Sequence, residues 1–200
     1  MNRLIIARHG NTFSPGDVVR RIGGGTDTQL VEVGVGQARK LGQYFKEKGW
    51  LPDAVFTSQL LRTQQTAEYI LAELGINKKA IALSSFDEID YGDDENQPEE
   101  AVVARLGNKT LQDWDEHGIV PDGWYADPKA IANWWKEFAT AAVKQKTSTV
   151  LVVTSAGIAR FALGLCKEKP EKTKLPTGSF GVLIYENRIW RCQEWATTPP

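Results

Sequence analysis

The chain has 200 residues, 42% of them hydrophobic and 24% charged, with a formal net charge of −1. That size and composition suit one globular domain with a substantial core. The near-neutral balance gives no general pull toward nucleic acid or an anionic membrane, so neither is an expected partner and any anion binding has to come from a local cluster. Cys166 and Cys192 form neither a disulfide framework nor a zinc pattern. Residues 4–7 fall far short of a signal-peptide core and no stretch approaches transmembrane length, so a cytoplasmic location is expected.

Residues 3–7 read as a short strand buried on both faces, stopped abruptly by Arg8-His9-Gly10. Residues 11–29 are turn-rich. Their Gly23-Gly24-Gly25 run lacks the GK[ST] ending of a phosphate loop and is expected to be a flexible connection. Residues 30–48 place Val33, Ala38, Leu41 and Phe45 on one helical face, with Gly49 as a stop. Residues 54–57 form a second strand, and Ser58 is placed to cap a helix over 60–74. Residues 81–84 are a third apolar run.

The segment 86–100 is crowded with carboxylates. Asp93-Asp94-Glu95 lacks the regular spacing of a calcium loop, and a solvated acidic loop is expected instead. Two helices follow, 99–115 and 128–145. The aromatics of these helices and of the loop joining them, Trp114, Trp124, Tyr125, Trp134 and Trp135, are expected to pack as core, with a lid wall as the alternative. Residues 149–154 form another strand. Ser155-Ala156-Gly157 then turns into a helix reaching about residue 165. Residues 167–174 make a charged surface connection, 180–185 and 188–195 a closing hairpin, and the Pro-rich tail is expected to be loose. Strands alternating with helices predict an α/β three-layer sandwich, a mostly parallel sheet with helices on both faces. The chain reads as a single domain, 1–200, with a helical insertion or cap at about 90–145.

Ligands of such sheets bind beyond the carboxyl ends of the strands. There the sequence aligns Arg8 and His9, Arg62 on the helix after Ser58, Glu88, and Ser155 with Ala156 at a helix start. Two guanidinium groups can grip a phosphoryl group through forked, charge-assisted hydrogen bonds. Backbone donors after Ser155 add to them. A neutral imidazole can take the phosphoryl group covalently. A carboxyl group can protonate the leaving oxygen and then accept a proton from water.

These residues resemble the histidine phosphatase superfamily, the phosphoglycerate-mutase-like proteins. Arg8-His9-Gly10 after a strand is similar to its RHG signature. The run from Asp27 through Leu30, Gly34 and Gln37-Ala38 is similar to D-x-x-L-T-x-x-G-x-x-Q-A, with Val31 for threonine. Residues 58–67 match S-x-L-x-R-x-x-Q-T-A, residues 86–92 the L-x-E-x-x-x-G segment, and residues 174–180 the late K-x-x-T-G stretch. The resemblance implies that His9 is the phosphorylated nucleophile, that Arg8 and Arg62 hold the phosphoryl group, that Glu88 is the proton donor, and that Asn11 and Thr12 touch phosphate or substrate. It implies a small phosphorylated substrate and neither cofactor nor metal. One position departs: where the family has a second histidine this chain has Ser155, which donates a hydrogen bond but carries no charge. His117, the only other histidine, either swings in from the insertion or stays on the surface. The expected activity is metal-independent hydrolysis of phosphate monoesters. The alternatives are an impaired or inactive phosphate-binding pseudophosphatase and a mutase-type phosphotransferase.

Overall fold

A computed structural model describes residues 2–145 and 147–200. Six strands form one sheet in the order β3-β2-β4-β1-β5-β6. They are β1 (Asn2–Arg8), β2 (Ala54–Thr57), β3 (Ile81–Ala82), β4 (Thr149–Thr154), β5 (Phe180–Glu186) and β6 (Ile189–Thr197). The first four are mutually parallel and the closing hairpin is antiparallel. The expected mostly parallel α/β sandwich is therefore present.

Side chains alternate across a strand, so a strand buried on both faces feeds two cores. In β1, Leu4 and Ile6 join Val150, Val152, Phe86, Trp135 and Phe138 on one face. Ile5 and Ala7 join Leu151, Val153, Leu41, Phe45, Ala67 and Ile70 on the other. That second layer is built by α1 (Glu32–Glu47) and α2 (Leu61–Leu74). The first contains α5 (Pro128–Lys144) and the short α6 (Ala156–Ala159) with the 3-10 turn that continues it. The segment expected as an insertion packs onto this layer. Trp135 and Phe138 of α5 and Trp114 of α4 (Asn108–His117) all share a core with β1, and α4 in addition brings Trp114 and Asp115 to the cleft at the sheet's carboxyl edge.

Several local expectations are corrected. The helix expected over 99–115 is broken into α3 (Glu99–Leu106) and α4 by Gly107, whose φ of 79° leaves the helical region. Leu60, not Ser58, occupies the N-cap of α2, because the Ser58 hydroxyl is engaged with the Thr63 hydroxyl at 2.7 Å. Val33 is exposed, and Gly34 takes the buried place on α1. The glycine run is docked: Gly23 N donates to Glu95 at 2.8 Å and Gly24 N to the Ile89 carbonyl at 2.9 Å. The acidic segment is likewise anchored. Asp94 is buried and accepts from Trp124 Nε1 at 2.7 Å and Arg105 Nε at 2.8 Å. These hydrogen bonds, Arg105 foremost, hold its carboxyl below the usual range. Glu95 accepts from Thr26 at 2.6 Å. The tail packs, with Pro199 buried beside Tyr44 of α1. Cys166 and Cys192 are free thiols, and burial pushes Cys166 up to about 11.

Candidate active site

The parallel pairing of β1 with β4 sets Arg8 opposite Thr154. The next residues, His9 and Ser155, therefore emerge side by side, and His9 N donates to the Thr154 carbonyl at 3.1 Å. The turn that carries His9 is pressed against the start of α1. A Cβ on Gly10 would overlap the Gly34 carbonyl oxygen, and one on Gly34 would overlap that of Asn11, so both close approaches require glycine. Gly10 N donates to Thr66 Oγ1 at 3.1 Å, tying the turn to α2 as well.

His9 is buried, and its Nδ1 lies 2.8 Å from its neighbour's carbonyl, Gly10 O. A carbonyl only accepts, so Nδ1 carries the proton and the lone pair falls on Nε2. Burial, reinforced by Arg8 and Arg62, lowers the His9 pKa well below 6.5. The ring is neutral and fixed in one tautomer, with two cations nearby.

A cleft of about 380 Å³ opens onto this ring. Arg8, His9, Thr12, Glu88 and Ala156 all line it, as expected from the sequence. Arg8 is steadied by donating to the Leu175 carbonyl at 2.8 Å, and its Nε has no partner. Glu88 is clamped at both oxygens: Ile89 N donates to Oε1 at 3.0 Å and Gly157 N to Oε2 at 3.1 Å. A Cβ on Gly157 would collide with that carboxylate. The backbone donor expected for phosphate at this position is thus committed to Glu88, and α6 has only a single α-turn behind it.

Three expected residues stand differently. Arg62 is 1% exposed and does not line the cleft. Its guanidinium braces the glycine run through the carbonyls of Thr26 at 2.9 Å and Gly23 at 3.0 Å, leaving Nε without a partner. Asn11 is held by the Thr177 hydroxyl and by Gln37, whose Oε1 accepts from Asn11 N at 2.8 Å. Ser155 occupies the N-cap of α6 but makes no capping bond, and its buried hydroxyl has no partner among the described residues. His117 is exposed beside Glu116 and does not line the cleft.

The rim contains residues that no single motif reveals. Phe13, Val19 and Ile22 form an apolar wall, with Arg20 and Arg21 beside them. Tyr91, Glu99, Trp114, Asp115 and Lys174 complete the lining. Arg21 is ion-paired with Glu99 and lies 5.2 Å from the ring centroids of Tyr91 and Trp124. Asp115 accepts from Lys174 at 2.7 Å and lies 3.6 Å from Arg160, whose guanidinium stacks 3.8 Å above Trp114. The adjacent Arg20-Arg21 pair was the available sequence signal.

Comparison with known proteins gives the arrangement its relatives. A "2,3-bisphosphoglycerate-dependent phosphoglycerate mutase" from Methylobacterium is 38% identical over 119 residues, 59% of this chain and 56% of that protein. The chain thus spans little more than half the length of the curated relatives it matches. The mycobacterial glucosyl-3-phosphoglycerate phosphatase structure superposes with a TM-score of 0.81 at 20% identity, covering 99% of this chain and 100% of that one. Phosphoglycerate mutase from Bacillus anthracis gives 0.78 at 20% identity, covering 98% and 92%. Both share this fold. The family model of branch 1 matches residues 4–198, and the chain belongs to the histidine phosphatase superfamily.

Proposed function

We propose that the protein is a metal-independent phosphatase that hydrolyses phosphate monoesters through a phosphohistidine on His9. The observation that carries this reading is the His9 ring itself, buried, neutral, and fixed by the Gly10 carbonyl so that Nε2 holds the lone pair. Arg8 grips the phosphoryl oxygens, with the positive charge of the buried Arg62 and the Ser155 hydroxyl behind it. Thr12 and the Ala156 backbone complete the pocket, and Asn11 keeps the turn in place.

In the first step Nε2 attacks phosphorus, the bond from phosphorus to the ester oxygen breaks, and Glu88 gives that oxygen its proton. In the second, water attacks the phosphohistidine, Glu88 takes the water's proton, and His9 leaves with the electron pair of the phosphorus–nitrogen bond. Inorganic phosphate and the free alcohol are the products, and no redox partner is needed. A cytoplasmic location accompanies this reading, consistent with the two free thiols.

The relatives' name favours a second reading, phosphoryl transfer between positions of a phosphoglycerate. A third, binding without turnover, rests on Ser155, whose hydroxyl replaces a cation with a neutral donor. One experiment separates the three. The protein is mixed with p-nitrophenyl phosphate, quenched in base and digested, and the His9 peptide is weighed by mass spectrometry. Hydrolysis expects phosphate on His9 and steady release of inorganic phosphate, both lost in His9→Ala. Phosphate that passes to added glycerate faster than to water indicates transfer. An unmodified His9, with equal residual release from His9→Ala, overturns the covalent mechanism.

A further inference from the structure

Resting on the phosphoryl site proposed around His9, we infer that Glu95, which does not line the cleft, is a positioning residue that fixes the turn from Gly23 to Thr26 and, through that turn, the guanidinium of Arg62. The two side chains hold the same two residues by opposite groups. Glu95 Oε1 accepts from Gly23 N at 2.8 Å and from Thr26 Oγ1 at 2.6 Å. Arg62 Nη2 donates to the Gly23 carbonyl at 3.0 Å and Nη1 to the Thr26 carbonyl at 2.9 Å. The turn is thus an adaptor: its donors meet a carboxylate and its carbonyls meet a cation.

Glycine lets the main chain come close enough for this. A Cβ on Gly23 would overlap the Glu95 carboxylate and the Ile89 carbonyl, and one on Gly24 would overlap the Glu88 carbonyl. Gly24 N donates to the Ile89 carbonyl at 2.9 Å, and Glu95 Oε2 accepts from Tyr91 N at 3.3 Å. The turn therefore lies between Arg62 and the segment that carries Glu88. Arg62 is buried, so water cannot replace a carbonyl that moves away from its fork. Its charge is near enough to His9 to lower the basicity of the ring. A fixed charge at that distance acts on the reacting phosphorus only as well as it is held. Glu95 supplies the hold on the far side of the turn.

The test is a double-mutant cycle of Glu95→Ala with Arg62→Lys, read by kcat/KM for p-nitrophenyl phosphate and by calorimetric affinity for orthovanadate. Lysine keeps the charge but cannot fork to both carbonyls. In the native background Glu95→Ala is expected to lower both quantities by about tenfold, and in Arg62→Lys by less than about twofold. Equal losses in the two backgrounds overturn the inference, as do unchanged values in the native one. Thermal stability is measured alongside; a merely structural Glu95 would lower it while leaving the kinetic losses additive. Glu95→Gln retains an acceptor for Gly23 N and Thr26, so it should recover most of the native value, and a loss as large as alanine's overturns the positioning role. Thr26→Val removes the hydroxyl link and keeps the carbonyl that Arg62 uses. Its expected loss is about threefold, again absent in Arg62→Lys, and it decides the matter where Glu95→Ala does not fold. Vanadate affinity reads the inference even without turnover. Native protein that binds vanadate but releases no phosphate counts only against the hydrolytic reading.

Discussion

The two ends of the cleft are built in different ways. At the buried end every group proposed to be catalytic is held by backbone: His9 by the Gly10 carbonyl, Arg8 by that of Leu175, Arg62 by those of Gly23 and Thr26, and Glu88 by two amide N–H groups. At the rim the charged groups hold one another, Arg21 with Glu99 and Lys174 with Asp115. Backbone anchors move only with the chain segments that carry them. Exposed side-chain pairs contribute little stability and are free to vary. The buried end is thus held by main chain, while the rim pairs are free to change.

That contrast is broken most severely at the nucleophile. His9→Ala should lower kcat by at least about four orders of magnitude, with p-nitrophenyl phosphate turnover as the readout, because removing the nucleophile disables the whole pathway. A rim variant with an equal loss would end the distinction. Next is Gly157→Ala. Its methyl must displace the Glu88 carboxylate, and a misplacement near 1 Å costs on the order of a hundredfold in kcat. Unchanged kcat would mean that Glu88 needs no fixed position.

Ser155→Ala sharpens the comparison more gently. The hydroxyl has no partner in the free protein, so thermal stability should hold, while kcat/KM falls by roughly three- to tenfold if that hydroxyl donates to the phosphoryl group. Loss of stability with unchanged kinetics would assign it to the fold instead. The acid side of the pH profile follows from His9. A neutral ring is needed for attack, and its pKa lies well below 6.5, so kcat/KM should show no His9 inflection at about 6.5, the pKa of an exposed imidazole. Raising the dielectric by opening the pocket would move that limb upward. The smallest effect is expected at His117, exposed at the end of α4, where alanine should change activity by less than about twofold.

The buried end was legible in the sequence because strand ends and motif spacing bring Arg8, His9 and Glu88 to one sheet edge. What spacing could not convey is which hydrogen bond each group makes. Arg62 was expected to face phosphate, yet its two terminal nitrogens reach a glycine run nearly forty positions earlier, an engagement decided by loop packing. The rim was less legible still. Arg21 and Glu99 stand 78 positions apart, and nothing local relates them. The missed break at Gly107 has a simpler cause: apolar residues on both sides keep a helical rhythm, and only the backbone angle reveals that two helices are present. Likewise Ser58 is a good capping residue whose hydroxyl found a nearer partner in Thr63.

The facing glycines, Gly10 and Gly34, have a dynamic consequence. Because the backbone of the His9 turn touches the backbone of α1 with no side chain between, the turn cannot open while α1 stays docked. Val31 N donates to the Asn11 carbonyl at 3.1 Å, which joins the two segments further. The His9 turn and the first helix are therefore expected to behave as one cooperative unit, with amides on both sides exchanging with solvent through a shared opening. The imidazole is already aimed before any ester arrives, and the ordering it requires is completed when the chain folds.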